Sequence, residues 1–402
     1  MTNWLQHIFE GRPWWMSVLM VFCMYMAFIY VPWDIFWKPV ADDREVWFGI
    51  MFTGWWAKIA ALPHWFVYAA GTYGFRRMRP WMRIWGAAYI AQIAFGMLVW
   101  TVMDLGGLLG WFLGLIPATL FGALTVAFWR ARDVFSGQRM PLGERYGEWA
   151  LVTGASAGIG AEFARALARE GCSIVLSARR EDRLRALADE LEKSHHVATR
   201  VVVADLAAPE GPAQLVEAVK DLEIGVLVNN AGFGYAGRFD KLDRERLRQQ
   251  IQVNCMAPVE MTHALVPPMR ERGRGAVIIT GSVAGRQPLP LHGVYSATKA
   301  FDLFFGEALW AELRSFGIDV LVVEPGATDT EFQEVAGETS HPGELPAQVV
   351  QVALEALGHQ PSVVSGWFNW LRAHLATRLG PRDFVVSVAH QVMERQTPVE
   401  MR

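Results

Sequence analysis

From Leu105 to Trp129, between Asp104 and Arg130, the chain carries no charged residue at all. About 20 mostly apolar residues are enough to cross the hydrocarbon core of a bilayer, and a water-soluble domain has no ready place to bury such a run. Two similar stretches precede it. Trp14–Trp33 lies between Arg12 and Asp34, and Trp81–Met103 has Arg83, near one end, as its only strong charge. Val46–Gly71 is long enough as well, but Lys58 sits near its middle and Pro63 and His64 follow. A central lysine costs about 2.5–3.5 kcal/mol on insertion, so this segment either spans or forms a re-entrant or interfacial element. Fourteen of the 18 tryptophans precede residue 130. Trp14, Trp15, Tyr30, Trp33, Trp47, Trp81 and Trp129 mark segment ends, where amphipathic rings favour the headgroup layer. Residues 1–132 are therefore expected to form an all-α transmembrane domain with spans at 14–33, 46–71, 81–103 and 105–129. The first run is too long and too rich in Trp for a cleaved signal peptide.

Basic residues orient this domain. Arg76, Arg77, Arg79 and Arg83 lie in the segment 74–83, and Arg130, Arg132, Arg139 and Arg145 follow the last span. The positive-inside rule puts both groups, and all that follows, on the cytoplasmic side. Gly106, Gly110, Gly114, Ala118 and Gly122 leave a smooth ridge along the last span, suited to close packing against the chain's own helices or against a second copy. Lys58, His64, Gln92 and Asp104 are the polar outliers at membrane depth, which makes them either snorkelling groups or a site. A net charge of −3 offers no basic face for nucleic acid. Cys23, Cys172 and Cys255 have neither disulfide nor metal spacing, and His263, His292, His341 and His359 have no ligand spacing, so no metal is expected.

After a linker over 133–146 the texture changes. Trp149 opens a buried strand, and Gly154, Gly158 and Gly160 follow it at once. Ala161–Glu170 reads as a helix stopped by Gly171, and Ser173–Ala178 as a second strand. This is the strand–turn–helix–strand setting in which glycines let the backbone approach a pyrophosphate at a helix N-terminus. NAD sites place an acid after the second strand to bond the ribose 2′-hydroxyl. Here Arg179 and Arg180 stand instead, and a guanidinium suits a 2′-phosphate. NADP(H) is thus favoured, with Arg179 as the contact and Arg180 opening a solvated helix. Further apolar runs at 198–204, 224–228, 275–280, 318–323 and 362–365 alternate with helical stretches. The expected fold over 147–366 is an α/β, Rossmann-type, doubly wound parallel sheet.

Tyr295 and Lys299, four apart at the start of a helical stretch, share one face. Ser282 stands 13 residues before Tyr295 at the end of a strand, and Asn254 late in an earlier helix. Together with Thr153–Gly160, Asn229–Gly232 and Pro325-Gly326, these residues resemble the short-chain dehydrogenase/reductase family over about 147–365. The likeness extends, more softly, to members that reduce lipid-like ketones of oxoacyl and hydroxysteroid type. The resemblance implies a catalytic set of Asn254, Ser282, Tyr295 and Lys299. In it Tyr295 is the general acid, with its pKa lowered by Lys299 and the nicotinamide cation, Ser282 holds the substrate oxygen, and Asn254 holds a relay water. It further implies cofactor contacts from Gly154, Ser156, Gly158, Ile159, Gly160, Arg179, Asp205, Asn230, Ala231 and Gly232. Tyr295, Lys299, Pro325, Gly326 and Thr330 complete that set. The N-terminal domain is outside the family pattern.

The segment Glu331–Pro346, rich in Gly, Ser, Thr and Glu, is expected to form a mobile lid over the substrate. The tail 367–402 is more apolar than a free terminus requires; it covers the pocket, lies on the bilayer surface or completes the core. A membrane-bound reductase is expected to take a lipophilic carbonyl compound, with a homodimer possible. Two other readings stay open: an NADPH sensor controlling the membrane domain, and a membrane domain with lipid handling of its own.

Overall fold

The computed structural model describes residues 14–76, 81–131, 140–339, 341–376 and 380–402, which fall into two units, 1–139 and 140–402. In the first unit, three described helices are long and apolar enough to cross a membrane: Trp15–Phe36, Trp81–Leu105 and Gly107–Arg130. The expected span over 46–71 is different in kind. It begins as an antiparallel hairpin of β1 (Arg44–Trp47) and β2 (Ile50–Thr53), turned at Phe48 and Gly49, which both have positive φ. The helix after it, Trp55–Arg76, has 22 residues but is not among the three. Lys58 and His64, near its start and middle, lower its apolarity.

Lys58 is nevertheless buried, because its charge is met. Its ammonium lies 3.0 Å from an Asp43 carboxylate oxygen and donates to the carbonyls of Asp34 and Lys38. Lys38 in turn pairs with Asp34 and Asp43, each at 2.8 Å. Two cations and two carboxylates cancel, and this is the condition for holding charge away from water. His64 pairs with Glu45 at 2.6 Å and stacks on Trp47. The small-residue ridge is used within the chain: a methyl group at Gly110 would meet the Thr101 carbonyl at 2.9 Å, and one at Gly114 the Leu98 side chain at 3.1 Å. Among the described residues, nothing lies within 4 Å of a methyl group placed at Gly122.

The second unit starts earlier than expected. Leu142–Tyr146 is a short helix, and within the supposed linker Tyr146 is buried and donates to Asp319 at 2.6 Å beside the Arg145–Asp319 ion pair. Such anchoring fixes residues that composition alone marks as a connector; 132–139 lie outside the described residues. Seven strands then form one parallel sheet: β3 (Trp149–Thr153), β4 (Ser173–Ala178), β5 (Thr199–Val203), β6 (Ile224–Asn229), β7 (Gly275–Thr280), β8 (Ile318–Glu324) and β9 (Ser362–Val364), in the order β5-β4-β3-β6-β7-β8-β9. β6 and β7 are buried throughout, as expected of strands covered by helices on both faces. One core lies on each side of the sheet. Phe163, Leu167, Leu184 and Val349 cover one face, and Leu215, Met261, Leu303 and Leu313 the other. The chain order reverses beside β3, so the carboxyl ends of β3 and β6 open onto the crevice where such sheets bind ligands.

Candidate active site

The loop after β3 is shaped by its glycines. Gly154 and Gly158 have φ of +67° and +56°, a region that other residues rarely adopt. Gly160, in the first turn of the helix Gly158–Arg169, lies so close to the loop that a methyl group there would sit 2.3 Å from the Gly154 carbonyl and 2.5 Å from Asn230 Nδ2. Asn230 ties three strand ends together. Its Nδ2 donates to the Thr153 carbonyl at 3.0 Å, and its Oδ1 accepts from Thr280 Oγ1 at 3.2 Å. Asp205 caps its own turn by accepting from Ala207 N at 3.0 Å. Thr330 packs against Gly158, and Gly326 lies under the Asn369 side chain of the tail.

Beyond β4, Arg179 and Arg180 both line the cavity. Arg180, expected only to open a solvated helix, donates to Ser156 Oγ at 3.0 and 3.2 Å and pairs with Glu331 at 2.7 Å. Glu331 also receives Arg183 at 2.6 Å. Those two guanidiniums hold the Glu331 carboxyl below the usual range.

The expected catalytic side chains converge. Tyr295 and Lys299 stand one turn apart on the helix Gly293–Leu313, and Ser282 follows β7. Ser282 Oγ accepts from Ala284 N at 3.1 Å, so it caps a turn as well as facing the cavity. Lys299 is buried and donates to the Thr280 carbonyl at 2.7 Å and to Asp302 at 2.9 Å. An ammonium has three donors, so one is left towards the cavity. Asn254 sits in a π-helical turn, Gln252–Met256, which swings its amide inward. There it exchanges hydrogen bonds with both backbone groups of Phe233, at 3.1 Å each, and donates to Thr298 Oγ1 at 3.0 Å. A methyl group at Gly232 would lie 3.2 Å from Asn254 Oδ1 and 3.6 Å from Lys299 Nζ, so Gly232 passes close to both groups.

Desolvation holds the Tyr295 phenol above its ordinary value, while Lys299 and the Ser282 hydroxyl pull it down. The expected lowering is therefore outweighed by burial in this state. Lys299 is pushed up, because Asp302 and Tyr295 outweigh its own burial.

These features occupy one cavity of about 880 Å³. One wall is formed by the tail helix Arg382–Gln396, which contributes Phe384, Val388, Val392 and Gln396 from one row and Val385, Ala389 and Met393 from the next. Residues four apart share a helix face, so the whole inward face is apolar except Gln396. The Thr339 amide donates to the Gln396 carbonyl at 2.8 Å, fastening the expected lid segment to the tail. Within that segment Phe332–Ala336 is helical.

A family model for short chain dehydrogenase matches residues 148–341. The very-long-chain 3-oxoacyl-CoA reductase of Anas platyrhynchos is 34% identical over 281 residues, covering 66% of this chain and 89% of that one. The chain belongs to the short-chain dehydrogenase family. The human very-long-chain 3-oxoacyl-CoA reductase is also 34% identical, over 61% of this chain and 84% of its own. Among solved structures, a 7β-hydroxysteroid dehydrogenase covers 62% of the chain at 31% identity with a TM-score of 0.59. A short-chain dehydrogenase from Sphingobium yanoikuyae in complex with NADPH covers 61% at 33% identity, with a TM-score of 0.52. As a short-chain dehydrogenase the protein is an NAD(P)-dependent oxidoreductase. Its cofactor edge fits NADP(H): a glycine cradle that a Cβ would fill, Arg179 and Arg180 rather than an acid at the two positions after β4, both lining the cavity, and Arg180 bonded to Ser156.

Two features of this dehydrogenase site escape sequence reasoning. The first is Asp302, the buried counterion of Lys299; its only signal is an acid three residues after the lysine, on the same helix face. The second is a cluster beside Tyr295. His292 Nε2 and His341 Nε2 each lie 3.4 Å from Glu338, and His292 is 2% exposed. No local pattern joins residues that meet through the lid segment. Burial pushes His292 down to about 4. Since the ordinary histidine value is about 6.5, the unfolded chain takes up this proton first as pH falls. Stability from this group is thus complete above about pH 6.5 and is lost towards pH 4, by about 3 kcal/mol. The Tm of the wild type is expected to fall more steeply across that window than that of His292→Gln. Parallel curves for the two proteins would refute the assignment.

Proposed function

We propose that this protein is a membrane-anchored, NADPH-dependent reductase of a lipophilic ketone, of the 3-oxoacyl type. The observation that carries the reading is the apolar face of Arg382–Gln396, which lines the same cavity as Ser282, Tyr295 and Lys299. The relatives named 3-oxoacyl-CoA reductase and the hydroxysteroid dehydrogenase likeness support the same substrate class. The three long apolar helices support an anchor, and the arginines around the last span support a cytoplasmic catalytic unit.

When bound, the reduced nicotinamide supplies the hydride. Ser282 donates a hydrogen bond to the substrate carbonyl oxygen, and Tyr295 delivers the proton that this oxygen takes up. Desolvation keeps the phenol protonated until charge develops beside it. Lys299, held by Thr280 and Asp302, then stabilises the phenolate with its remaining donor. Asn254 fixes the Phe233 backbone alongside.

The test is NADPH oxidation by the full chain in detergent, across 3-oxoacyl thioesters of rising chain length. Burying one more methylene contributes about 0.8 kcal/mol, so kcat/KM is expected to rise up to about fourfold per methylene until the cavity is filled. Val388→Asp places a charge in the apolar wall and is expected to flatten that series. A wild-type rate independent of chain length would overturn the lipophilic reading.

A further inference from the structure

Four described arginines line the cavity, and of the three without an ion pair among the described residues, Arg179, Arg246 and Arg372, it is Arg246 that a side-chain hydrogen bond and two aromatic rings hold in place. Arg180 pairs with Glu331, and Arg286, also close to the site, pairs with Glu324. Arg246, on the helix Arg244–Ile251, has no ion pair with any acid among the described residues. Of the acids on the same turn, Glu245 faces Arg248 at 3.9 Å, and Asp243 accepts the Arg246 backbone N–H at 2.8 Å as the helix cap.

The guanidinium is nonetheless held in place. It lies over the rings of Phe233 and Tyr235, 5.5 and 4.9 Å from their centroids, and one terminal nitrogen donates to the Val335 carbonyl at 2.7 Å. Its Nε is buried and has no hydrogen-bond partner. A buried donor without an acceptor costs roughly 1–3 kcal/mol, and a partly desolvated cation without a counterion adds to that cost. Two aromatic faces and one carbonyl fix the plane of the fork while leaving donors unused. A group that brought two oxygens and a negative charge would satisfy both deficits at once, in the geometry that guanidinium recognises best.

We infer that Arg246 anchors an anionic oxygen group, phosphate or carboxylate, of the molecule bound in this cavity. Identifying that molecule as the substrate rests on the reductase reading above; the anion site itself does not.

The test is a calorimetric titration of the full, NADP⁺-saturated protein in detergent, so that no ligand can enter the cofactor edge. Coenzyme A is compared with pantetheine, which lacks its diphosphate, and hexanoate with hexanamide. The wild type is expected to prefer one anion over its neutral counterpart by at least about tenfold. Arg246→Leu is expected to abolish that preference and Arg246→Lys to keep part of it. A preference for coenzyme A assigns the site to a phosphate, and one for hexanoate to a carboxylate. The proposal is overturned if the wild type discriminates in neither pair, or if Arg246→Leu discriminates as the wild type does, with the Tm of each variant reporting folding. Anion binding that depends on Arg246 in a protein that reduces no ketone would sink the reductase reading and leave this site standing.

Discussion

Replacing Tyr295 with phenylalanine is expected to lower the single-turnover rate of ketone reduction by ~10²–10⁴-fold, the usual worth of a positioned general acid. The ring itself is retained, so its packing against Phe332, at 5.3 Å between centroids, should survive. What disappears is the one hydroxyl positioned between Ser282 and Lys299. Lys299 cannot take over, since it is tied to Thr280 and Asp302 and is pushed up by the latter. Stopped-flow loss of NADPH absorbance measures the effect directly. A rate within about threefold of wild type would show that another group supplies the proton, and the assignment of Tyr295 would have to be withdrawn.

Gly160→Ala is the second large effect. The added methyl group would lie 2.3 Å from the Gly154 carbonyl oxygen and 2.5 Å from Asn230 Nδ2. The first of these is backbone, and the second belongs to a side chain already bonded to Thr153. Neither can yield cheaply, so the loop must move away from the helix start proposed to cradle the cofactor phosphates. Overpacking of this kind costs about 1–3 kcal/mol, and NADPH affinity is expected to fall by roughly ten- to a hundredfold. The two hydrophobic layers of the sheet are built from other residues, so the Tm should fall by only a few degrees. Fluorescence titration of NADPH separates the outcomes: unchanged affinity would mean that the loop is not the cofactor cradle.

Much of this site is legible in the order of the residues alone. β4 and β7 have the bounds that their apolar runs suggest, and the glycine loop lies between the strand and helix that make it meaningful. Tyr295 and Lys299 come together because four residues make a turn. Asn254 is less regular: its inward aim comes from a π-turn that no periodicity announces. The hairpin at Arg44–Thr53 is hidden in a run apolar enough to pass for the start of a span. Its Phe48-Gly49 turn is a two-residue signal set against a long hydropathic one.

Properties that depend on neighbours along the chain are written in residue order: the long apolar helices, the strand–loop–helix unit after β3, and the Tyr295–Lys299 face. Which distant groups meet is a matter of tertiary packing. Lys58 is tolerated because Asp43 lies opposite it, Arg180 is drawn to Glu331 from 151 positions away, and the tail helix becomes a cavity wall rather than a free end. Arg246 is left without an acid for the same reason. Charge pairing acts over a few ångströms in space, and only the packed chain settles which residues come that close.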